Sequence, residues 1–163
     1  MPDMIQADFG IRQLHARFVD AVWRQDADEF AACWTQDGLW KIAGMEVRGR
    51  TALVDACRMM LGRCQKIHLI CGLPILEAAG DGVIGRINMT EFTTMPDQSS
   101  AMVIGWYHDR YAEEEGRWRF ATRHWSFKYR GPPAMGGEYF DTPEYGAFPG
   151  FPAADEPTYV RPS

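Results

Sequence analysis

One histidine, His68, lies among apolar neighbours in the segment QKIHLIC, residues 65–71. An imidazole has an unperturbed pKa of about 6.5, so it can take up and return a proton near neutral pH. A lone histidine on a strand is also commonly a core residue whose ring nitrogens are satisfied. The sequence therefore offers His68 either as a proton carrier in a pocket or as a structural residue.

Two charged residues lie in predicted strands from which they could meet such a histidine. Glu91, in GRINMTEFT, shares strand parity with Met89; if it faces inward, an apolar pocket raises its pKa and makes it an acid or base and a partner for His68. An inward Arg123 needs Glu91 or an anionic substrate group beside it, because a buried unpaired guanidinium is costly. Alternatively, Glu91 faces solvent. Arg123 could likewise be exposed, in which case His124 faces inward.

Two further polar residues are candidates for catalysis. Tyr107 shares parity with Gly105 and could donate its phenol proton to a substrate oxygen. Asp20 lies off the apolar stripe of the first predicted helix. It could act as a second carboxylate, or pair with Arg17 or Arg24 on a solvent-exposed face.

Large apolar side chains surround these polar candidates in the sequence. Most large aromatics are core residues in any protein. The chain nevertheless has six tryptophans, which in this setting predict a flat aromatic or polycyclic ligand held by stacking and apolar contact. The predicted substrate-binding residues are Trp23, Trp40, Phe18, Met89, Trp125 and Phe127.

Three helices are predicted to position these residues. Apolar residues at steps of three and four predict an amphipathic helix over residues 8–25. Asp26, followed three residues later by Glu29, predicts the start of a second, short helix that ends near Thr35. The segment RTALVDACRMMLG predicts a third helix, since its apolar residues share one face.

Strands make up the rest of the predicted domain. One early strand is predicted in DGLWKIAGMEVRG, and four more, separated by turn-forming segments, over residues 66–77, 83–94, 101–112 and 117–129. This order indicates an α+β domain in which a curved antiparallel sheet wraps around the helices.

The last predicted strand has an irregular apolar pattern. Trp118 and Phe120 have one parity, whereas Trp125 and Phe127 have the other. A β-bulge and burial of both faces both explain the pattern.

The C-terminal segment differs in composition from the rest. Residues 1–130 are predicted to form the domain and residues 131–163 a tail rich in Pro, Gly and aromatic residues. The tail aromatics are costly to leave in water, so we expect the tail to dock across a pocket mouth or onto a neighbouring subunit. These aromatics are Tyr139, Phe140, Tyr145, Phe148, Phe151 and Tyr159.

Composition excludes several classes of partner. The 163 residues carry a formal net charge of -5, which argues against nucleic acid and against anionic membrane surfaces. No apolar run is long enough to span a bilayer and no signal peptide is recognisable. Four cysteines without paired metal-ligand spacing indicate reduced thiols and a cytoplasmic location; they are Cys33, Cys57, Cys64 and Cys71.

The order of FVDAVWRQDADEFAACWTQDGLW, VRGRTAL, IHLICG and YHDRYAEEEGRWRF resembles the nuclear transport factor 2-like superfamily. Within it, residues 11–127 are most similar to the SnoaL-like branch, which includes scytalone dehydratase, lindane dehydrochlorinase and bile acid 7α-dehydratase. The resemblance implies a cone-shaped α+β barrel with a pocket at its open end. It also implies proton-transfer chemistry without metal or organic cofactor, and a homo-oligomer, with a trimer favoured and a dimer possible.

The resemblance also implies roles for individual residues. His68 matches the base of the lindane and scytalone enzymes, and Glu91 matches a functional aspartate of the bile acid dehydratase. Arg123 matches an arginine that stabilises the developing anion, and Trp40 a pocket-lining residue. Trp23 stands where the relatives have an aspartate on the first helix, so the usual aspartate–histidine pair is missing here.

The leading functional prediction is a cofactor-free lyase, dehydratase or isomerase that acts on an aromatic or polycyclic small molecule. In it, His68 moves the proton, Glu91 orients it or acts as the acid, and Arg123 and Tyr107 steady the developing charge. One alternative is a non-catalytic ligand-binding domain or a scaffold like the β subunit of ring-hydroxylating dioxygenases. Another is a polyketide cyclase.

Overall fold

The computed structural model describes residues 1–140, which form three helices and eight strands. The predicted docking of the tail lies mostly outside these residues. Two of the tail aromatics are described: Tyr139 is largely exposed beside the ring of Tyr129, and Phe140 packs against Phe127 at the edge of the core.

The three predicted helices are confirmed. They are α1 (Met4–Arg24), α2 (Ala27–Ala32) and α3 (Arg50–Leu61). The carboxylate of Asp26 accepts the backbone N–H of Glu29 at 3.0 Å, which satisfies one of the free amide donors at the start of α2. The apolar stripe of α1 is buried, as its spacing predicts.

Eight strands form one curved, open sheet in the order β2-β1-β7-β6-β5-β3, with β4 paired to β5 and β8 to β7. The segment predicted as one early strand forms a hairpin of two strands. The first of them begins at Trp34, so α2 ends at Ala32 rather than near Thr35 as predicted. The run predicted at residues 66–77 is also two strands. The bounds are β1 (Trp34–Ile42), β2 (Met45–Arg48), β3 (Lys66–Cys71), β4 (Ile75–Ala79), β5 (Gly82–Thr94), β6 (Ser100–Glu114), β7 (Arg117–Gly131) and β8 (Glu138–Tyr139).

The α+β class is confirmed, but the prediction of a wholly antiparallel sheet is wrong. Strand β1 runs parallel to β7, with Trp40 opposite Arg123, so the sheet is mixed. The two strands lie far apart in the chain, so no hairpin turn forces them to be antiparallel. This pairing brings the early part of the chain against the strand that carries Arg123.

A β-bulge in β7 explains the irregular apolar pattern of that strand. Phe120 is opposite Tyr111 and Trp125 is opposite Tyr107, and Ala121 is an extra residue in the intervening register shift. An extra residue reverses the parity of a strand. Phe120 and Trp125 therefore lie on the same side of the sheet, the side that packs against α1, which we call the inner face.

All four cysteines are free thiols. Within residues 1–140, the helices are all too short or too polar to cross a membrane.

Gly105 on β6 gives the Trp125 indole its place on the inner face. A Cβ atom at this position would lie 2.3 Å from Cζ2 of Trp125 and 2.3 Å from the Ser126 carbonyl oxygen. We expect Gly105→Ala to lower the free energy of unfolding by about 1–3 kcal/mol, measured by denaturant titration, because the ring and the backbone must move. Gly136→Ala is the control, since a Cβ there meets no atom of the described chain within 4 Å. Equal stability of the two variants would contradict this packing.

Candidate active site

A buried ion pair lies at the centre of the inner face. Arg123 on β7 and Asp109 on β6 are opposite each other in the sheet and both are fully buried. Nε and Nη2 of the guanidinium donate to the two carboxylate oxygens at 2.9 and 3.1 Å. Burial raises the pKa of Asp109 because it penalises the charged form, while the Arg123 charge and its hydrogen bond lower it.

Aromatic rings enclose the Arg123 guanidinium. Its Cζ atom lies 3.7 Å from the ring centroid of Tyr107, 4.0 Å from that of Phe120 and 4.6 Å from that of Phe18 on α1. Ring faces attract a cation at such distances. Arg123 is therefore held in place by its carboxylate and by three rings at once.

The structure places Arg123 inward, with His124 on the opposite face, but the partner predicted for it is wrong. Its carboxylate is Asp109, not Glu91 and not a substrate group. The sequence carried a signal for the face on which Asp109 lies, because Asp109 alternates with Tyr107 and Tyr111 in YHDRY.

Two further buried residues extend the ion pair. Tyr111 donates its hydroxyl proton to Asp109 at 2.9 Å, and Nε2 of His15 lies 2.9 Å from the same hydroxyl oxygen. Because Tyr111 gives its single proton to Asp109, we assign Nε2 of His15 as the donor to the Tyr111 oxygen. Burial lowers the pKa of His15 well below its usual value, and the Arg123 charge adds to this.

Sequence reasoning missed His15 and Tyr111. His15 follows Ile11 by four residues and precedes Phe18 by three, so helical spacing places it on the buried stripe. A polar residue on that buried stripe indicates that a hydrogen-bond partner lies in the core.

Tyr107 is buried, and its oxygen accepts the indole N–H of Trp40 at 3.2 Å. Its ring lies 4.8 Å from that of Trp125. Burial raises the pKa of the Tyr107 phenol above its ordinary value, and the Glu91 charge adds to the shift. The phenol therefore keeps its proton at physiological pH.

Glu91 is the titratable group of the inner face that lacks a compensating cation. It lies between Leu69 on β3 and Val103 on β6, and part of its surface remains accessible. Burial raises its pKa to about 7, and among residues 1–140 no cation forms an ion pair with it. Burial also raises the pKa of Cys64, with a further contribution from the Glu91 charge, so this thiol lies near the carboxylate.

The prediction that His68 faces an enclosed pocket is wrong. Leu69 is the residue opposite Glu91, and strand alternation turns His68 to the other face, beside Phe92. The imidazole is exposed, and its ring meets that of Trp23 edge-on at 5.5 Å between centroids. His68 therefore does not join Glu91, and Trp23, at 57% exposure, does not line the inner face.

Asp20 also lies away from the candidate site. Its side chain is exposed and accepts from Nε of Arg24 at 2.9 Å, one helical turn away. The predicted alternative, in which Asp20 pairs with Arg24 on a solvent-exposed face, is therefore correct, and a catalytic Asp20 is not supported. The helix turns this residue away from the sheet.

The remaining predicted binding residues are buried within the core, and the strand residues among them lie on the inner face. They contribute apolar surface next to the polar groups: Phe18, Trp40, Met89, Trp125 and Phe127. Within residues 1–140 no three His, Cys, Asp or Glu side chains are grouped so as to hold a metal ion. The inner face offers proton exchange at Glu91, hydrogen-bond donation at Tyr107 and Arg123, and apolar aromatic surface.

A family model described as the SnoaL-like domain matches residues 4–124. No curated protein sequence matches the chain significantly.

Several solved structures share the fold at low sequence identity. The hexachlorocyclohexane dehydrochlorinase LinA-type3 of Novosphingobium barchaimii is 19% identical with a TM-score of 0.72, over 86% of this chain and 98% of that one. A scytalone dehydratase-like protein of Novosphingobium aromaticivorans is 13% identical with a TM-score of 0.74, over 89% and 97%. A dioxygenase β subunit of the aromatic-ring-hydroxylating type from the same species is 16% identical with a TM-score of 0.67, over 77% and 92%.

Removing the charge of Asp109 tests the importance of the buried ion pair. Asp109→Asn keeps the shape of the side chain but leaves Arg123 buried without a counter-charge. We expect the free energy of unfolding to fall by about 3–5 kcal/mol in chemical denaturation. Asp20→Asn, which breaks the exposed pair with Arg24, should cost at most about 1 kcal/mol. If the free energy of unfolding falls by a similar amount in the two variants, the buried Arg123–Asp109 pair is no more important for stability than the exposed Asp20–Arg24 pair.

Proposed function

The chain belongs to the SnoaL-like domain family, and on this basis we propose that it is a lyase, dehydratase or isomerase. It moves a proton on an aromatic or polycyclic small molecule and uses its own side chains, without a metal or organic cofactor. The Glu91 carboxyl carries this proposal, because its pKa of about 7 lets it take and return a proton near neutral pH.

Other groups on the inner face suit this role. In its carboxylate form Glu91 takes a proton from carbon, and in its protonated form it returns the proton to carbon or to a departing group. Tyr107 supplies a donor hydrogen on the same face, and Arg123 supplies a fixed positive charge that Asp109 holds in position. Preorganised donors and charges of this kind stabilise a developing anion without reorganisation.

Aromatic surface supports the substrate class. Trp40, Trp125 and Phe127 are buried beside the polar groups. Trp125 packs between Tyr107, at a tilt, and Phe127, edge-on, at centroid distances of 4.8 and 5.7 Å. Such surfaces favour flat, apolar ligands with a few polar atoms.

A non-catalytic scaffold is the second candidate, and one observation favours it. Trp23 stands at the position of the aspartate that the resemblance predicts, and both Trp23 and His68 are exposed. If the protein shows no proton-transfer activity and forms a stable complex with a larger oxygenase subunit, it is a scaffold rather than an enzyme.

Glu91→Gln tests the proposed chemistry. The experiment incubates the protein in heavy water with a panel of aromatic ketones, diols and halides and follows hydrogen exchange and elimination by NMR. For the wild type we expect kcat/KM to rise with pH through about 7, because the carboxylate is the base form and it accumulates above the Glu91 pKa. Glu91→Gln should lower the rate roughly 10²- to 10⁴-fold and remove this pH dependence.

Two controls accompany this variant. Glu77→Gln changes an exposed strand glutamate on β4 and should leave the rate within about twofold. His68→Ala distinguishes the two possible proton carriers, and we expect it to keep most of the activity because the ring lies outside the inner face. A loss in His68→Ala as large as in Glu91→Gln would contradict the assignment to Glu91.

A further inference from the structure

A row of basic side chains crosses the face of the sheet that points away from the helices, which we call the outer face. His124 on β7 and His108 on β6 are opposite each other. Lys41 on β1 continues the row on one side and Arg86 on β5 on the other. Each of the four is next in the chain to an inner-face residue, so strand alternation turns it outward. Lys41 is already paired with Glu46 on β2, at 3.1 Å between Nζ and Oε1.

Both histidines of this row are buried, although the helices pack on the other face of the sheet. His108 is 3% exposed and His124 1%, and Ser126 in the next row is fully buried. Burial lowers the pKa of His108 to about 3, and the charges of His124 and Arg86 add to the shift. A sheet that packs on helices with one face commonly leaves the other face to solvent. Buried side chains at the centre of the outer face therefore indicate that a further segment covers it.

The centre of the outer face is positively charged. Arg86 and Arg110 lie at outward positions of β5 and β6 and are charged at any physiological pH. An exposed acid, Glu77, lies on β4 at the edge of this face. The paired central segments have no Asp or Glu at their outward positions; these segments are residues 84–92, 102–110 and 122–126. An acidic segment would therefore be attracted to this face.

Aromatic surface lies directly beside the basic row. Trp106 on β6 is between Asn88 on β5 and Ser126 on β7, and Ile104 is the next outward residue of β6. Trp106 and Ile104 are both partly exposed. A segment that carries both acidic and aromatic side chains therefore matches this face in charge and in apolar surface.

The path of the chain at the end of the described residues leads toward the basic row. Strand β8 runs antiparallel to β7, and the N–H of Phe140 donates to the Lys128 carbonyl at 2.9 Å. The chain therefore heads along β7 toward His124, which is four residues, or about 13 Å, beyond Lys128. Strand β1 already occupies that edge of β7, since Lys41 is opposite His124. The chain must leave the edge there and pass onto a face of the sheet, and the helices occupy the inner one.

Residues 141–163, which lie outside the described residues, have the composition that the outer face favours. They contain four acidic residues and one basic residue, Arg161. Glu144 follows Phe140 by four residues, the same number that separates Lys128 from His124, so an extended chain can bring it to the basic row. The acidic residues are Asp141, Glu144, Asp155 and Glu156, and the aromatic ones are Tyr145, Phe148, Phe151 and Tyr159.

We propose that residues 141–163 bind across the outer face of the sheet of their own chain, with acidic side chains toward Arg86 and Arg110 and aromatic rings on Trp106. This place differs from both the pocket mouth and the neighbouring subunit that the sequence suggests. It does not involve Glu91, so the proposal is independent of the proposed function.

Photo-crosslinking in the whole chain tests where the segment binds. The photoreactive amino acid p-benzoylphenylalanine replaces Phe148 in one preparation and Phe151 in another, and the dilute protein is irradiated. A denaturing gel separates crosslinks within one chain from crosslinked dimers, and mass spectrometry of the digest identifies the residues joined. We expect crosslinks within one chain, to outward residues of β5, β6 and β7 such as Trp106.

Charge changes in the segment test the electrostatic part of the proposal and leave residues 1–140 unchanged. One variant combines Asp141→Asn, Glu144→Gln, Asp155→Asn and Glu156→Gln. It should lower the crosslink yield roughly threefold, because it removes the attraction to the basic face. Salt at about 1 M should have a similar effect on the unchanged segment, since it screens surface charges. Arg161→Gln is the matched control, and it should keep or increase the yield.

A charge change on the sheet supplies the complementary comparison. Arg86→Gln should lower the crosslink yield, because it removes one of the two central cations of the outer face. Arg58→Gln, which changes an exposed arginine on α3, should leave the yield unchanged.

Four outcomes would overturn the proposal. They are crosslinks from both positions to the helices or to inner-face residues, crosslinks found only in dimers, no crosslink from either position, and a yield that neither salt nor the neutralised segment changes. Crosslinks found only in dimers would place the segment on a second copy of the chain instead.

Discussion

The bidentate ion pair between Arg123 and Asp109 is the interaction around which the inner face is packed, since three aromatic rings enclose the guanidinium and Tyr111 donates to the carboxylate. The other acid on this face, Glu91, has no ion-pair partner within residues 1–140, and burial raises its pKa to about 7. The same pair keeps His15 neutral, because the Arg123 charge adds to the effect of burial in lowering its pKa. The described part of the inner face therefore holds a fixed, compensated cation and, at Glu91, a carboxyl without an ion-pair partner.

This arrangement has a cost in stability that depends on pH. The pKa of Glu91 is raised from 4.5 to about 7 in the folded protein, so the folded state binds this proton more tightly than the unfolded chain. Its contribution to stability is fully present below about pH 4.5 and is lost as the pH rises through about 7. A glutamine at this position would not lose stability in this way. The presence of a carboxyl therefore favours a role in proton transfer.

Local patterns in the sequence predicted the helices and most of the strands, because periodicity and capping act over a few residues. Parity along β5 left an inward and a solvent-facing Glu91 both open. The sequence could not give the partner of Arg123, since the register that places Asp109 opposite it depends on the bulge at Ala121. The resemblance misplaced His68, because a matching dipeptide does not fix which face of the edge strand the imidazole occupies. The parallel pairing of β1 with β7 joins segments too distant for any local signal.

The inner face holds a carboxyl, Glu91, whose pKa lies near neutrality because it is buried without an ion-pair partner among residues 1–140. Titration of the Glu91 side-chain carboxyl carbon by NMR, assigned with Glu91→Gln, measures this pKa. We expect a midpoint near pH 7. A midpoint near the ordinary glutamate value of about 4.5 would contradict a buried, proton-exchanging Glu91.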